Sequence, residues 1–372
     1  MFANTYHQKR VLVTGHTGFK GAWLTTWLLE LGAEVHGLAN GVPTQPSLYE
    51  VLGLAARIRH HQADVRDLGL VKKIVGEVRP DFIFHLAAQS IVRKSLESPL
   101  DTLTTNLLGH AHLLETVRGT EHPCVMVMVT SDKCYDNQES THGYRESDPL
   151  GADDPYGASK AAAEIVVRAW QRSFFSEKNC PVRIATARAG NVIGGGDWAE
   201  GRIVPDCIRA WSVGQPVHLR KPRATRPWQH VLEPLSGYLR LGQLLAEHPE
   251  LSGEAFNFGP EASHDRTVFD LLEALAGYWH FAVYPFGEGT KKFIVEKEPG
   301  FKETALLKLN CDKALDLLGW QPVLQFEEAA AQTGEWYRHF YSKTKRNMAE
   351  LTLQQLHLFT KTATGRGANW TF

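Results

Sequence analysis

The chain has 372 residues, with 40 basic and 41 acidic side chains and a formal net charge of −1. That length exceeds one average domain and falls short of three, so a larger domain with a smaller lobe is expected. The near-cancelling charge, with no long block of one sign, argues against a nucleic-acid stripe or a polybasic membrane patch and leaves a small molecule as the expected partner.

From Met1 a polar stretch runs into a strand at Lys9 with no apolar signal core, and no later stretch carries the ~20 apolar residues that span a bilayer, so a cytoplasmic location is expected. Strand-like runs follow at Arg10–Thr14, Glu34–Ala39, Ile58–Asp64, Phe82–Ala87, Cys124–Thr130 and Val182–Arg188, and the segments between four of these pairs have helical apolar spacing. This alternation predicts an α/β fold, a Rossmann-type doubly wound parallel sheet covered by helices on both faces. Residues 1–190 then form a dinucleotide-binding domain, with returning segments near 230–260. From Asn191 to Pro234 the text turns Gly-, Pro- and Trp-rich, which marks the start of a substrate-binding lobe over 191–345. A strand at Ala255–Phe258, a helix at Val268–Gly277 and a helical segment from near Gln325 lead into a polar C-terminal tail, 346–372. The five cysteines are scattered without close pair spacing, so they read as reduced structural thiols and no metal site is expected.

The first strand opens into Thr14-Gly15-His16-Thr17-Gly18-Phe19-Lys20-Gly21, followed by a helix from Ala22 to Leu31 and Gly32. Glycines at GxxGxxG spacing permit positive φ and close backbone approach, so a pyrophosphate can sit on the helix N-terminus. A tight strand-to-helix connection is the plainer alternative for such a turn taken alone. The ribose-binding acid expected about twenty residues on is replaced by Asn40, with no Arg beside it to grip a 2′-phosphate. That favours NAD over NADP, with Lys20 the residue able to upset the preference. Asp64 either meets the adenine edge, with Val65 after it, or caps the following helix.

Tyr156 and Lys160 stand four apart behind Asp154-Pro155, a helix-start pair, and share one helix face. A neighbouring ammonium and a cationic nicotinamide both favour phenolate, which suits hydride chemistry. At the carboxyl end of the fifth strand, Thr130-Ser131-Asp132-Lys133 places a hydroxyl, an acid and an amine where open α/β sheets bind ligands. A solvated polar turn is the competing reading for an arbitrary protein.

These segments, with His85-Leu86-Ala87-Ala88-Gln89, Ala189-Gly190-Asn191 through Ala199 and Arg226-Pro227-Trp228-Gln229-His230, closely resemble the CDP-glucose branch of the nucleoside-diphosphate-sugar 4,6-dehydratases, in the extended short-chain dehydrogenase/reductase superfamily. The match runs from the first strand to about Pro322. The resemblance implies an NAD-dependent hydro-lyase that converts CDP-glucose to a 4-keto-6-deoxy product, in deoxysugar biosynthesis such as that of lipopolysaccharide O-antigen. It implies Tyr156 as base at the 4-hydroxyl with Ser131 and Lys160 assisting, Lys133 as base at C5 and Asp132 as acid at the 6-hydroxyl. For these roles Asp132 must be raised by burial and Lys133 lowered by burial and nearby positive charge. It assigns the dinucleotide to Gly15, Thr17, Gly18, Phe19, Lys20, Asn40, Asp64, Val65, Leu86, Ala87, Ala88, Gln89, Asn106, Thr130, Tyr156, Lys160 and Ala189. It assigns the nucleotide sugar to Gln89, Ser90, Arg93, Asn191, Arg202, Arg220 and Arg226, with Asn106 bracing the active-site backbone or serving as an ordinary polar helix residue. A homodimer packed through the helices after Leu100 and Pro155 is also implied.

The chain departs from the pattern at Gln138–His142, where a Trp is expected, at Lys94-Ser95-Leu96, and at Glu303–Leu309, where Leu306 and its neighbours are small or aliphatic. The rival enzyme, a sugar-nucleotide 4-epimerase or decarboxylase, needs Tyr156 and Lys160 but not Asp132 and Lys133. A non-catalytic NAD-sensing regulator would be expected to have lost Tyr156 or Lys160, and both are present.

Overall fold

The computed structural model describes residues 1–140, 142–177, 179–219, 221–261, 266–279, 293–295, 306–344 and 346–372. Seven parallel strands form the central sheet: β1 (Arg10–Thr14), β2 (Glu34–Ala39), β3 (Arg59–Gln62), β4 (Phe82–His85), β5 (Cys124–Val129), β6 (Val182–Ala189) and β7 (Ala255–Phe258), in the order β7-β6-β5-β4-β1-β2-β3. Alternate residues of each strand reach opposite faces. Leu12, Leu38, Ile83, Met126, Met128 and Ile184 face α2 (Leu68–Val78), α3 (Gly109–Val117) and α4 (Pro155–Phe174). Val11, Val13, Phe84, Val127 and Ala187 pack on the other side with α1 (Phe19–Glu30) and α6 (Leu232–Glu247), beyond α5 (Ile203–Ser212) in the chain. Along β1, β4, β5 and β6 both faces are dry, which is why these strands are nearly continuous apolar runs rather than alternating ones, whereas edge strand β3, Arg-His-His-Gln, is largely exposed.

The third and fourth strands stop short of the expected ends at Asp64 and Ala87. After His85 the backbone leaves the ladder: the Leu86 amide still donates to the Thr14 carbonyl at 3.1 Å, but the Ala87 amide turns to the Thr14 hydroxyl at 3.2 Å. Helix α1 begins three residues earlier than expected, inside the glycine turn. It ends where Gly32 (φ +77°) takes a left-handed conformation and the Ala33 amide closes back onto the Leu28 carbonyl.

Beyond α7 (Val268–Trp279) lie α8 (Phe326–Phe340) and α9 (Met348–Gly365). Residues 346–372 are therefore no loose polar tail: α9 buries Leu351, Leu356 and Phe359, and Trp370 stacks on Phe2 at 5.2 Å and on Phe359 at 5.8 Å. The N-terminal stretch, polar as text, sinks Phe2 and Tyr6 into the same cluster, and the Tyr6 hydroxyl donates to the Leu239 carbonyl at 2.5 Å. No helix among the described residues is long and apolar enough to cross a membrane. The sheet reverses its winding between β1 and β4, so the ends of these strands frame the crevice that α/β sheets use for ligands.

Candidate active site

The turn after β1 requires its glycines. Gly15 has φ +73°, and a Cβ there would lie 2.7 Å from the Ala87 amide nitrogen, while one on Gly21 would lie 2.2 Å from the Gly15 carbonyl. Gly18 caps α1 without a side chain, so the free amides of the first helical turn face the crevice. The Thr17 hydroxyl ties the turn to the Gly41 carbonyl at 2.7 Å, just past Asn40. This bare backbone cradle at a helix N-terminus fits a dinucleotide pyrophosphate.

At the adenosine end the expectation of no neighbouring Arg is corrected. Asn40 donates to Asp64 at 3.1 Å, and Asp64 is gripped by Arg66 at 2.6 Å, whose hydrogen bonds hold its carboxyl down to about 2. Arg66 also meets Asp101 at 2.6 Å, so its guanidinium is spanned by two carboxylates. The following helix is capped by Asp67, whose side chain accepts from the Leu70 amide, so Asp64 does not serve as its cap. Lys20 turns away from Asn40 and into the crevice, 3.3 Å from the Tyr238 hydroxyl. Burial, then Arg202 nearby, pulls its ammonium down to about 7 against the opposing charge of Asp132.

Helix α4 starts as the sequence predicts, with the Asp154 carboxylate accepting from the Gly157 amide at 2.9 Å and Pro155 in the first turn. A Cβ on Gly157 would sit 2.7 Å from the Lys133 carbonyl, so glycine lets the helix close on the Ser131–Lys133 turn. Tyr156 and Lys160 are both buried, and Lys160 Nζ donates to the Val129 carbonyl at 3.2 Å. Burial lowers Lys160 to about 8, opposed by Glu164. Burial also raises Tyr156 to about 12, with its hydrogen bond to Ser131 pulling the other way. The expectation that the neighbouring ammonium brings the phenol down is thus not met by the protein alone: desolvation dominates, and the groups that ease ionisation are Ser131 and Arg202.

At the end of β5 the hydroxyls part company. Thr130 donates inward to Glu164, whereas Ser131 donates to Asp132 Oδ1 at 2.9 Å. Asp132 is 4% exposed, and burial raises its carboxyl against the pull of Lys133, Ser131, Lys20 and Arg226. Its outer oxygen, Oδ2, is buried with no hydrogen-bond partner. Lys133 is half-buried rather than buried. One serine therefore joins a phenol and a protonatable acid on one wall of the crevice.

Asn106 sits in a π-helical turn, Thr104–Leu108, and clamps Gln89 from both sides, accepting from its amide at 2.8 Å and donating to its carbonyl at 2.9 Å. The Gln89 side chain is fully engaged with Ile91 and Thr102, so it is committed to the loop rather than free to meet a ligand. Ser90 accepts from Arg202 at 2.8 Å, and Arg202 also holds Asp197 at 2.9 Å, in electrostatic reach of Tyr156. Arg93 does not line the crevice: its side chain is 78% exposed and pairs with Glu97 along its own helix. Asn191 is exposed just past β6, and Arg226 lies within electrostatic reach of Asp132. Val65 and Ala189 are buried, and Leu86, Ala87 and Ala88 are half-buried behind the glycine turn. Arg220 lies outside the described residues, as do Thr141 and Glu303–Ala305.

Sequence reasoning missed Glu164, which accepts from Thr130, from Thr186 at 2.8 Å and from Arg188 at 2.8 Å. Its spacing, four after Lys160 and eight after Tyr156, was the available signal. It also missed the buried chain Thr14–His85–His110, linked at 2.7 and 3.2 Å behind Lys160.

The family model for GDP-mannose 4,6-dehydratase matches residues 12–333. The chain is 43% identical over 338 residues to the CDP-glucose 4,6-dehydratase of Salmonella typhimurium, covering 90% of this chain and 92% of that protein. It is 28% identical to a dTDP-glucose 4,6-dehydratase of Haemophilus influenzae over 88% of this chain and 97% of that one. Among solved structures, the dTDP-glucose 4,6-dehydratase DesIV of Streptomyces venezuelae with NAD and TYD bound shares the fold, with a TM-score of 0.74 at 23% identity over 91% of this chain and 100% of that chain. The family model spans most of the chain, glycine turn and α4 included, and the chain belongs to the GDP-mannose 4,6-dehydratase family.

Proposed function

We propose that this chain is an NAD-dependent hydro-lyase that removes water across C5 and C6 of a nucleoside-diphosphate hexose, with CDP-glucose as the substrate. One observation carries the reaction type: a buried acid, Asp132, with an unpartnered oxygen and a raised carboxyl, shares Ser131 with Tyr156. A 4-epimerase or decarboxylase on this fold needs Tyr156 and Lys160 but has no use for that acid. The cytidine preference is supported by the 43% identity to the Salmonella enzyme and by Lys133 following Asp132.

NAD held on the backbone cradle of Gly15, Gly18 and Gly21 would supply hydride acceptance from the sugar C4 and its return at C6, so the reaction would have no net redox product. Tyr156 takes the proton of the 4-hydroxyl, with Ser131 turning its hydroxyl from Asp132 to the forming phenolate and Lys160 holding positive charge one turn below it. The 4-ketone acidifies C5, Lys133 takes the C5 proton, and protonated Asp132 donates to the departing 6-hydroxyl, which leaves as water; the Lys133 ammonium returns a proton to C5 as C6 is reduced, and solvent takes the Tyr156 proton and restores that of Asp132. Each acid–base role is worth roughly 10²–10⁴-fold. Arg226 and Asn191 are assigned the diphosphate, as a planar fork and an amide suited to phosphate oxygens, and Arg202 with Ser90 the sugar side. Exposed Leu100, Leu108 and Ile165, on the helices after Leu100 and Pro155, support a homodimer through that face. We also propose the division into a nucleotide domain, 1–190, and a substrate lobe, 191–345, in a cytoplasmic enzyme.

The test is incubation of the NAD-loaded protein with a panel of nucleoside-diphosphate glucoses. CDP-glucose should give a 4-keto-6-deoxy product without accumulation of NADH. Stoichiometric NADH, or a C4 epimer as the product, would overturn the reading.

A further inference from the structure

On α4, Tyr156, Lys160 and Glu164 follow one another at four-residue spacing, and all three are buried. The mechanism uses the first two. Glu164 is 4% exposed, and its carboxylate gathers three elements: the Thr130 hydroxyl, next to Ser131 at the end of β5, and Thr186 and Arg188 of β6. Arg188 is held in turn by the Tyr135 hydroxyl at 2.8 Å and lies over the Tyr135 ring. A buried ion pair is weak evidence for stability as such, because desolvating two charges costs about what their attraction returns. Its place between the catalytic lysine and the catalytic turn calls for another account.

We propose that Glu164 is a positioning residue for the hydride step: it keeps Lys160 charged beneath Tyr156 and, through Thr130, sets the turn that carries Ser131. The groups around Lys160 single Glu164 out. Facing it are Tyr156 and Glu164 on its own helix, Cys134 after β5, His85 on β4, His110 on α3 and Lys20 on α1. Burial keeps both histidines neutral and the Cys134 thiol protonated. Lys20 repels Lys160. The hydrogen bond of Lys160 goes to the Val129 carbonyl, and Glu164, one turn along the same helix face, is the anion that acts on the ammonium through space; burial draws the proton off when that anion is lost. A neutral Lys160 leaves the proton on Tyr156, so the fraction of enzyme ready for the hydride step falls.

The proposal deepens the dehydratase reading and rests on it for its rate measurement alone, so its first test needs no substrate. Lys160 is titrated by NMR in protein labelled with 13Cε-lysine, its signal assigned by its loss in Lys160→Met. In Glu164→Gln the midpoint should fall by at least about one pH unit, and the single-turnover rate of NAD⁺ reduction by about twofold at pH 7, widening toward tenfold as pH rises past the wild-type midpoint near 8. Glu164→Gln leaves Arg188 buried and unpaired, so Glu164→Gln/Arg188→Met, which removes both charges, guards against misfolding. The double variant removes a positive charge together with the anion, so its midpoint should fall less than in Glu164→Gln while staying below that of the wild type. An unchanged Lys160 midpoint in either folded variant would reduce Glu164 to a brace and overturn the proposal. Absence of turnover in the wild type would count against the substrate reading and leave the titration result standing.

Discussion

Replacing Asp132 by Asn separates elimination from oxidation. The substitution keeps the side-chain shape in a site 4% exposed, and the amide oxygen still accepts from Ser131, so the fold and the first step should persist. What is lost is a proton that burial holds on the carboxyl, at an oxygen with no other partner. Loss of one general acid is worth roughly 10²–10⁴-fold, or about 3–5 kcal/mol in the elimination barrier. The sign of the pH dependence follows from the raised carboxyl: the wild-type acid is present below its folded pKa and disappears as pH rises through it, so elimination declines on the alkaline side. Asp132→Asn should lack that decline. In D₂O the variant should still incorporate deuterium at C5, because Lys133 is intact, while mass spectrometry shows little loss of the 6-hydroxyl. Lys133→Met is the complement, with hydride transfer retained and C5 exchange lost. Wild-type elimination in Asp132→Asn, or an equal loss of hydride transfer, would refute the assignment.

Tyr156→Phe should abolish NAD⁺ reduction in single turnover, since Phe fills the buried position without an ionisable group; an unchanged rate would remove Tyr156 from the role. Gly15→Ala forces a side chain into φ +73° against the Ala87 backbone, a strain on the order of 1–2 kcal/mol before any clash, and calorimetry should find dinucleotide binding weakened about tenfold or more. Buried Glu233 accepts from the Val323 and Leu324 amides, yet burial raises it from 4.5 to about 7. Its contribution, about 3 kcal/mol, is present below its unfolded pKa and lost as pH rises through 7, so urea melts of the wild type should weaken over that window more than those of Glu233→Gln. Parallel curves would show that Glu233 is not the titrating group.

The fold was legible where physics is local. Apolar strands buried on both faces, a Pro–Asp helix start and a glycine turn each declare themselves within a few residues, and the sheet follows from their alternation. The failures share a cause, which is side-chain commitment across the chain. Arg66 reaches the ribose region through Asp64, Gln89 spends its amide on Ile91 and Thr102, and Arg93 faces water, none of which is a property of a window of sequence. The C-terminal helix was hidden differently. Its buried stripe includes Thr352, Gln355 and Ala363 beside Leu351 and Phe359, so the period of 3.6 is present while the hydropathy is diluted. Thr352 accepts from Trp336 and Gln355 donates to Gln332, hydrogen bonds that let polar residues occupy core positions.

The two proton roles place opposite demands on one desolvated wall: Tyr156 must release a proton and Asp132 must keep one, and burial raises both. What separates them is which charges each feels. Arg202 eases ionisation of Tyr156, while Lys133, Lys20 and Arg226 all pull the proton from Asp132. In the proposed complex a diphosphate lies on Arg226 and offsets that pull. On that proposed site, seating the nucleotide would shift Asp132 toward its acid form. The acid needed for the second step would then be armed by the same binding event that delivers the sugar, and elimination would be tied to the bound nucleotide rather than to the folded protein alone.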